Sequence, residues 1–238
     1  MAVNYILCAA GSGQRFKNVS VTTPKPLIRL QNKTLLEWSI ESLPYTQEDR
    51  LIVITQKEHN IRETMKPVIE KLYAQLKVIW IELETLTRGQ LETALLAESH
   101  LDLNSSTVIY NSDTYFESGT LLKLMANPTN ECIIPCSQEK GDSWSFCRIG
   151  ENDTVLEVKE KVRISEWASV GFYYFKNTPL LITRTKAHLA QPATTEYYVA
   201  PLYNEYIEAH EQCIIDRLSV FKPMGTPEQI KEYWGISV

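Results

Sequence analysis

Residues 6–30 read ILCAAGSGQRFKNVSVTTPKPLIRL, and this stretch decides the fold. An apolar run from Tyr5 to Ala10 breaks into a turn with Gly11 and Gly13, followed by Arg15; further on, Lys25 stands between Pro24 and Pro26. A strand that runs into a flexible polar turn sets backbone N–H groups at the carboxyl end of a sheet, where glycine lets the backbone approach an anion closely. Arg15 and Lys25 add positive charge to that turn. The pattern is a polyphosphate cradle. It is neither of the two common ones: a dinucleotide fingerprint needs a third glycine where Phe16 stands, and a P-loop needs G-K-[S/T] where Gly13 is followed by Gln14 and Arg15.

Outward from this loop, strand-like apolar runs recur at Leu51–Thr55, Val78–Leu83, Thr107–Tyr110, Cys132–Cys136, Ala168–Phe175 and Gln212–Ile215. Helical periodicity separates the earlier ones. Over Lys33–Leu43 the residues Leu35, Leu36, Ile40 and Leu43 share a face, with Asn32 as N-cap and Pro44 as stop; His59–Leu76 and Gly89–Leu101 read the same way. Alternating strand and helix predicts an α/β fold: a Rossmann-like three-layer sandwich on a mostly parallel mixed sheet. From about Gly141 the texture changes. Ser145–Ile149 and Thr154–Lys159 read as strands of a small irregular sheet, and helices are expected at Pro179–Leu189, Glu196–His210 and Pro227–Tyr233. One domain with a small second lobe is the economical reading of 238 residues.

Composition narrows the partners. The chain is 44% apolar, as a sizeable core requires, and its formal net charge of −5 removes the excess of Lys and Arg that a nucleic-acid binder needs. Met1–Asn4 has no basic segment, and Tyr5–Ala10 is too short for a leader or a membrane span, so a cytoplasmic protein with no membrane partner is expected. The five cysteines are odd in number and scattered, which suits reduced thiols. Cys132 and Cys136 bound one strand, where residues four apart lie about 13 Å from each other, too far to share a zinc ion. Nothing in the sequence sets the subunit number, and a homo-oligomer is compatible with it.

LCAAGSGQRF followed by PKPLIRL resembles the opening of the sugar-phosphate nucleotidyltransferases, the nucleotide-sugar pyrophosphorylases, in particular short members associated with capsule or surface polysaccharide. The resemblance continues in family order through Gly89–Thr93, Asn111–Ser112–Asp113, Glu160–Lys161, Ala168–Gly171, Glu196 and Gly225–Thr226–Pro227–Glu228. It implies attack of an acceptor phosphate on the α-phosphorus of a nucleoside triphosphate, with release of pyrophosphate. That chemistry needs alignment and charge neutralisation rather than a protein nucleophile. The isolated histidines His59, His100, His188 and His210 have no part in it.

By resemblance, residues 1–140 hold the nucleotide (CTP, UTP or dTTP) and 141–238 the acceptor, foremost a sugar 1-phosphate. Arg15 meets the leaving pyrophosphate, Lys25 the phosphates near the reacting centre, and Asp113 binds Mg²⁺. Ala10, Gly11, Ser12, Gly13 and Ser112 join the nucleotide cradle, with Gly89, Gln90 and Thr93 at the base. Glu160, Lys161, Gly171 and Glu196 face the acceptor. The family's second metal-binding acid is missing: its place reads Lys222–Pro223–Met224–Gly225, and Asp216 is the nearest substitute in sequence. Plainer readings stand beside these. Asp113 suits a turn, Gly89 a helix start, EVKEKVR (157–163) a solvated strand, and Glu196 the first turn of a helix after Thr194 and Thr195. The same chemistry on a non-sugar phosphate, or a catalytically silent nucleotide or sugar-phosphate sensor, are the rival functions.

Overall fold

Ten strands form one sheet in the computed structural model, which describes residues 2–192 and 196–237. In chain order they are β1 (Val3–Ala9), β2 (Arg50–Gln56), β3 (Lys77–Leu83), β4 (Ser106–Asn111), β5 (Cys132–Gln138), β6 (Ser145–Ile149), β7 (Val155–Glu160), β8 (Trp167–Ser169), β9 (Phe172–Phe175) and β10 (Cys213–Arg217). Their spatial order is β7-β6-β8-β5-β9-β4-β1-β2-β3, with β10 on the remaining edge of β5.

β3, β2, β1 and β4 run parallel and are the apolar runs legible in the sequence. Leu7, Val53, Ile54 and Val108 are fully buried, as strands covered on both faces must be. From β1 the chain steps outward to β2 and β3, then returns to β4 on the other side of β1. That reversal opens a crevice at the carboxyl ends of β1 and β4, where ligands bind in open α/β sheets.

Beyond β4 the sheet is antiparallel except for β5 with β10. The strands expected to form a small sheet of their own, β6 and β7, instead extend the large one. They do so through one bent strand, Trp167–Phe175: its first half pairs with β5 and β6, its second with β5 and β4. The bend is at Gly171, with φ +82. A Cβ there would lie 2.2 Å from Asn111 Nδ2, so only glycine lets the two halves of the sheet meet. At the far edge, the side chain of Asn204 both accepts from Val158 N (2.9 Å) and donates to Val158 O (2.9 Å).

Three expected helices differ, and one of them, Gly89–Leu101, divides into the helix Gln90–Leu95 and a 3₁₀ turn, Glu98–His100. The one after Lys33 is Leu35–Glu41, capped by Thr34 rather than Asn32: Thr34 Oγ1 accepts from Glu37 N while the Glu37 carboxylate accepts from Thr34 N, a reciprocal capping box. The expected helix Glu196–His210 shortens to a 3₁₀ turn, Ala200–Leu202, and Tyr203–Glu208. Glu196–Val199 is not helical, because its backbone is bonded elsewhere; Thr194 and Thr195 lie outside the described residues. Features that escaped the sequence reading include the helix Leu121–Ala126, a ribbon pairing Thr114–Glu117 with Val220–Pro223, and a short one pairing Arg29–Leu30 with Lys33–Thr34.

Gly171→Ala is expected to destabilise the protein by about 2 kcal/mol, lowering Tm by roughly 4–8 °C in a thermal melt. Thr34→Ala, which removes the cap hydroxyl, costs about 1 kcal/mol by the same measurement.

Candidate active site

The loop after β1 is pinned from below. Gly13, at φ +66, turns the chain into a single helical turn, Gln14–Lys17, that drives Phe16 into a buried cluster with Ile28, Leu30, Leu35, Met224 and Ile230. Ala10, Gly11 and Ser12 remain facing a cleft of about 320 Å³, and a Cβ on Gly11 would touch nothing within 4 Å. The backbone is therefore open to a ligand there.

Pro24 and Pro26 set Lys25 in a 3₁₀ turn, Lys25–Leu27, that aims its side chain across the crevice. Lys25 Nζ donates to Asp113 Oδ2 at 2.5 Å and to Gly225 O at 3.1 Å. Asp113 follows β4, and its carbonyl accepts from Met224 N (2.8 Å), so three distant segments converge on one ammonium. Among the described residues Asp113 Oδ1 has only a 3.5 Å contact from Thr114 Oγ1.

The smaller cleft is closed on its far side by Thr87, Gly89, Gln90 and Thr93, with exposed Leu86 at the rim. Burial pushes the Cys8 thiol in its wall up to about 12, so it stays neutral. Gln90 Nε2 donates to Asn111 Oδ1 (2.7 Å), fixing the amide that lies over Gly171. Gln90, Asn111, Asp113 and Glu196 line this cleft and also a second one of about 690 Å³, making the two continuous.

The larger cleft carries Arg15, Glu160, Lys161, Gly171 and Glu196, with walls from Trp144, Tyr173, Tyr198 and Tyr233. Burial raises the Glu160 carboxyl above its ordinary value, against a hydrogen bond from Ser145. Lys161 has left-handed backbone, φ +53. Its Nζ donates to Tyr198 Oη (2.6 Å), which in turn donates to Glu196 Oε2 (2.6 Å). Glu228 is held below the usual carboxylate range by a Thr226 hydrogen bond, its own backbone N–H and the neighbouring Arg15. None of Glu160, Glu196, Glu228 and Glu232 has a Lys or Arg ion-pair partner among the described residues.

The sequence-predicted residues thus gather around one continuous cleft, with two departures. Gly13 lines neither part and instead packs 3.5 Å from Lys25 Cβ, supporting the lysine from behind. Asp216 is a correction. It is 2% exposed, lines neither part, and accepts from Ser118 Oγ and Thr120 Oγ1 at 2.5 Å each, tying down the start of the helix Leu121–Ala126. Its carboxylate is consumed by structure. The stretch where the resemblance implies a second metal-binding acid, Lys222–Pro223–Met224–Gly225, has no carboxylate, and its Met224 is fully buried; no group of three or more His, Cys, Asp or Glu among the described residues is arranged to hold a metal. A hard cation that takes one carboxylate and fills its shell with phosphate and water still fits Asp113 Oδ1. Residues to which the sequence reading gave no role are Asn111, whose place in the Asn-Ser-Asp run was the available signal, and Tyr198.

No helix among the described residues is long and apolar enough to cross a membrane. A family model described as nucleotidyl transferase matches residues 4–234. Among characterised proteins the chain is 26% identical to the D-glycero-alpha-D-manno-heptose 1-phosphate guanylyltransferase of Campylobacter jejuni, over 66% of this chain and 67% of that protein. It is 24% identical to the mannose-1-phosphate guanylyltransferase catalytic subunit beta of Drosophila melanogaster, over 94% of this chain but 59% of that protein. Among solved structures it superposes on a nucleoside-diphosphate-sugar pyrophosphorylase from Vibrio cholerae with a TM-score of 0.81 at 25% identity, covering 99% of this chain and 100% of that one. With the match running from Asn4 to Trp234, the chain belongs to the nucleotidyl transferase family.

Proposed function

We propose that the protein transfers a nucleoside monophosphate from a triphosphate to a sugar 1-phosphate, releasing pyrophosphate, and that the activated product feeds surface-polysaccharide assembly. The observation that carries this reading is the Lys25–Asp113 pair at the junction of the two continuous clefts. The triphosphate lies along the Ala10–Ser12 backbone with its base against Gly89, Gln90 and Thr93, covered by Leu86. The acceptor fills the larger cleft, its phosphate near Lys161 and its hydroxyls near Glu160 and Glu196.

An acceptor phosphate is ionised near neutral pH, so its oxygen attacks the α-phosphorus without a protein base. Lys25 neutralises charge at the reacting phosphate, and Arg15 meets the departing pyrophosphate. Asp113 would hold Mg²⁺, which would supply positive charge that lowers repulsion between two anionic reactants. Residues 1–140 then serve mainly the nucleotide and 141–238 mainly the acceptor.

One observation favours a second reading. Four carboxylates without a Lys or Arg ion pair among the described residues, set beside aromatic faces, suit an acceptor that carries an ammonium group as well as its phosphate, such as an amino-alcohol phosphate. Pyrophosphate release with Mg²⁺ decides between them. The panel pairs CTP, UTP, dTTP, ATP and GTP (the Campylobacter and Drosophila relatives being guanylyltransferases) with glucose 1-phosphate, mannose 1-phosphate and phosphoethanolamine. Release with a sugar phosphate alone supports the first reading; tight nucleotide binding without any release supports a sensor and overturns both.

Lys25→Ala and Asp113→Asn are each expected to lower turnover by roughly 100-fold or more in a folded protein. Wild-type turnover in Asp113→Asn overturns the metal assignment. Because the folded-state value of Glu160 lies above its unfolded value of 4.5, the group lowers stability as pH rises through and beyond that window. Glu160→Gln should therefore raise Tm at pH 7 and leave it unchanged at pH 4, while weakening acceptor use.

A further inference from the structure

The segment Glu196–Tyr198 belongs to both halves of the cleft. Tyr197 N donates to Arg88 O (3.1 Å) and Leu91 N donates to Tyr197 O (3.0 Å), which straps this segment to the loop around Gly89. The approach is so close that a Cβ on Gly89, at φ +155, would sit 2.5 Å from both Tyr197 N and O. Arg88 reinforces the strap: its guanidinium lies 4.7 Å over the Tyr197 ring and is held by Glu92. The Tyr197 hydroxyl is anchored on Gln191 O (2.6 Å).

On either side of this fixed backbone stand Glu196 and Tyr198. The Tyr198 hydroxyl sits between the two acceptor-side charges, accepting from Lys161 Nζ and donating to Glu196 Oε2. It keeps them bridged, where opposite charges at liberty would pair directly or swing into solvent. The same bond is the chief cause that raises the Lys161 ammonium above its ordinary value.

We propose that Tyr198 is a positioning residue for the acceptor: its hydroxyl spaces Lys161 and Glu196, and the strap from Gly89 to Tyr197 holds the backbone that carries it. Resting on the nucleotidyltransferase reading, the inference adds to it a side chain that sets the distance between the two acceptor-side charges.

Tyr198→Phe keeps the ring over Lys161 and deletes only the hydroxyl. With whichever of glucose 1-phosphate, mannose 1-phosphate or phosphoethanolamine supports pyrophosphate release, the acceptor KM is expected to rise roughly 10-fold, as loss of hydrogen bonds to charged groups implies. The nucleotide KM measured at saturating acceptor, and Tm, stay at wild-type values. An unchanged acceptor KM, or equal losses for both substrates, overturns the positioning role while leaving the function intact. Absence of release by the wild type with every pair overturns the function and this inference together.

Discussion

An ammonium and a carboxylate 2.5 Å apart, both largely shielded from water, hold the mouth of the crevice together. Lys25 comes from a proline-framed turn, Asp113 from the end of β4, and the Gly225 carbonyl from the segment after the last ribbon strand. Their separation in sequence makes this contact a closure as well as an ion pair. Removing either partner strands the other charge in a half-buried place, a heavier penalty than the net worth of the bridge. The arrangement also divides the two carboxylate oxygens: Lys25 takes Oδ2, and among the described residues Oδ1 keeps a 3.5 Å contact from Thr114 Oγ1.

Two glycines mark where the halves of the molecule cross. Gly171 lets the bent strand pass beneath the Asn111 side chain, and Gly89 lets the Tyr197 backbone lie against its own loop. In both places neighbouring atoms fill the space a Cβ would take, so the walls of the smaller and larger clefts are packed directly against each other.

What was legible in the sequence was local. The parallel strands show as unbroken apolar runs, and Lys25 is conspicuous because prolines flank it. Asp113 follows a strand, and Gly89 heads a helix. What was not legible depended on distant partners. Tyr198 acquires its meaning from Lys161, 37 positions away, and Asn111 from Gln90, 21 away. Asp216 misled because closeness along the chain is not closeness in space: its strand pairs with β5, and its carboxylate meets Ser118 and Thr120. The apolar spacing after Glu196 suggested a helix, but bonds to the loop around Gly89 claimed that backbone first. Tertiary demand overrode periodicity.

The side chain of Asn204 occupies both the donor and the acceptor of Val158 on the outermost strand. A carboxamide thereby imitates one residue of a neighbouring strand, and the sheet's margin is sealed at its middle. Another chain cannot add itself there without first displacing an internal bond pair. The protein is in this way guarded against runaway edge-to-edge stacking, and any association between copies is steered away from that margin.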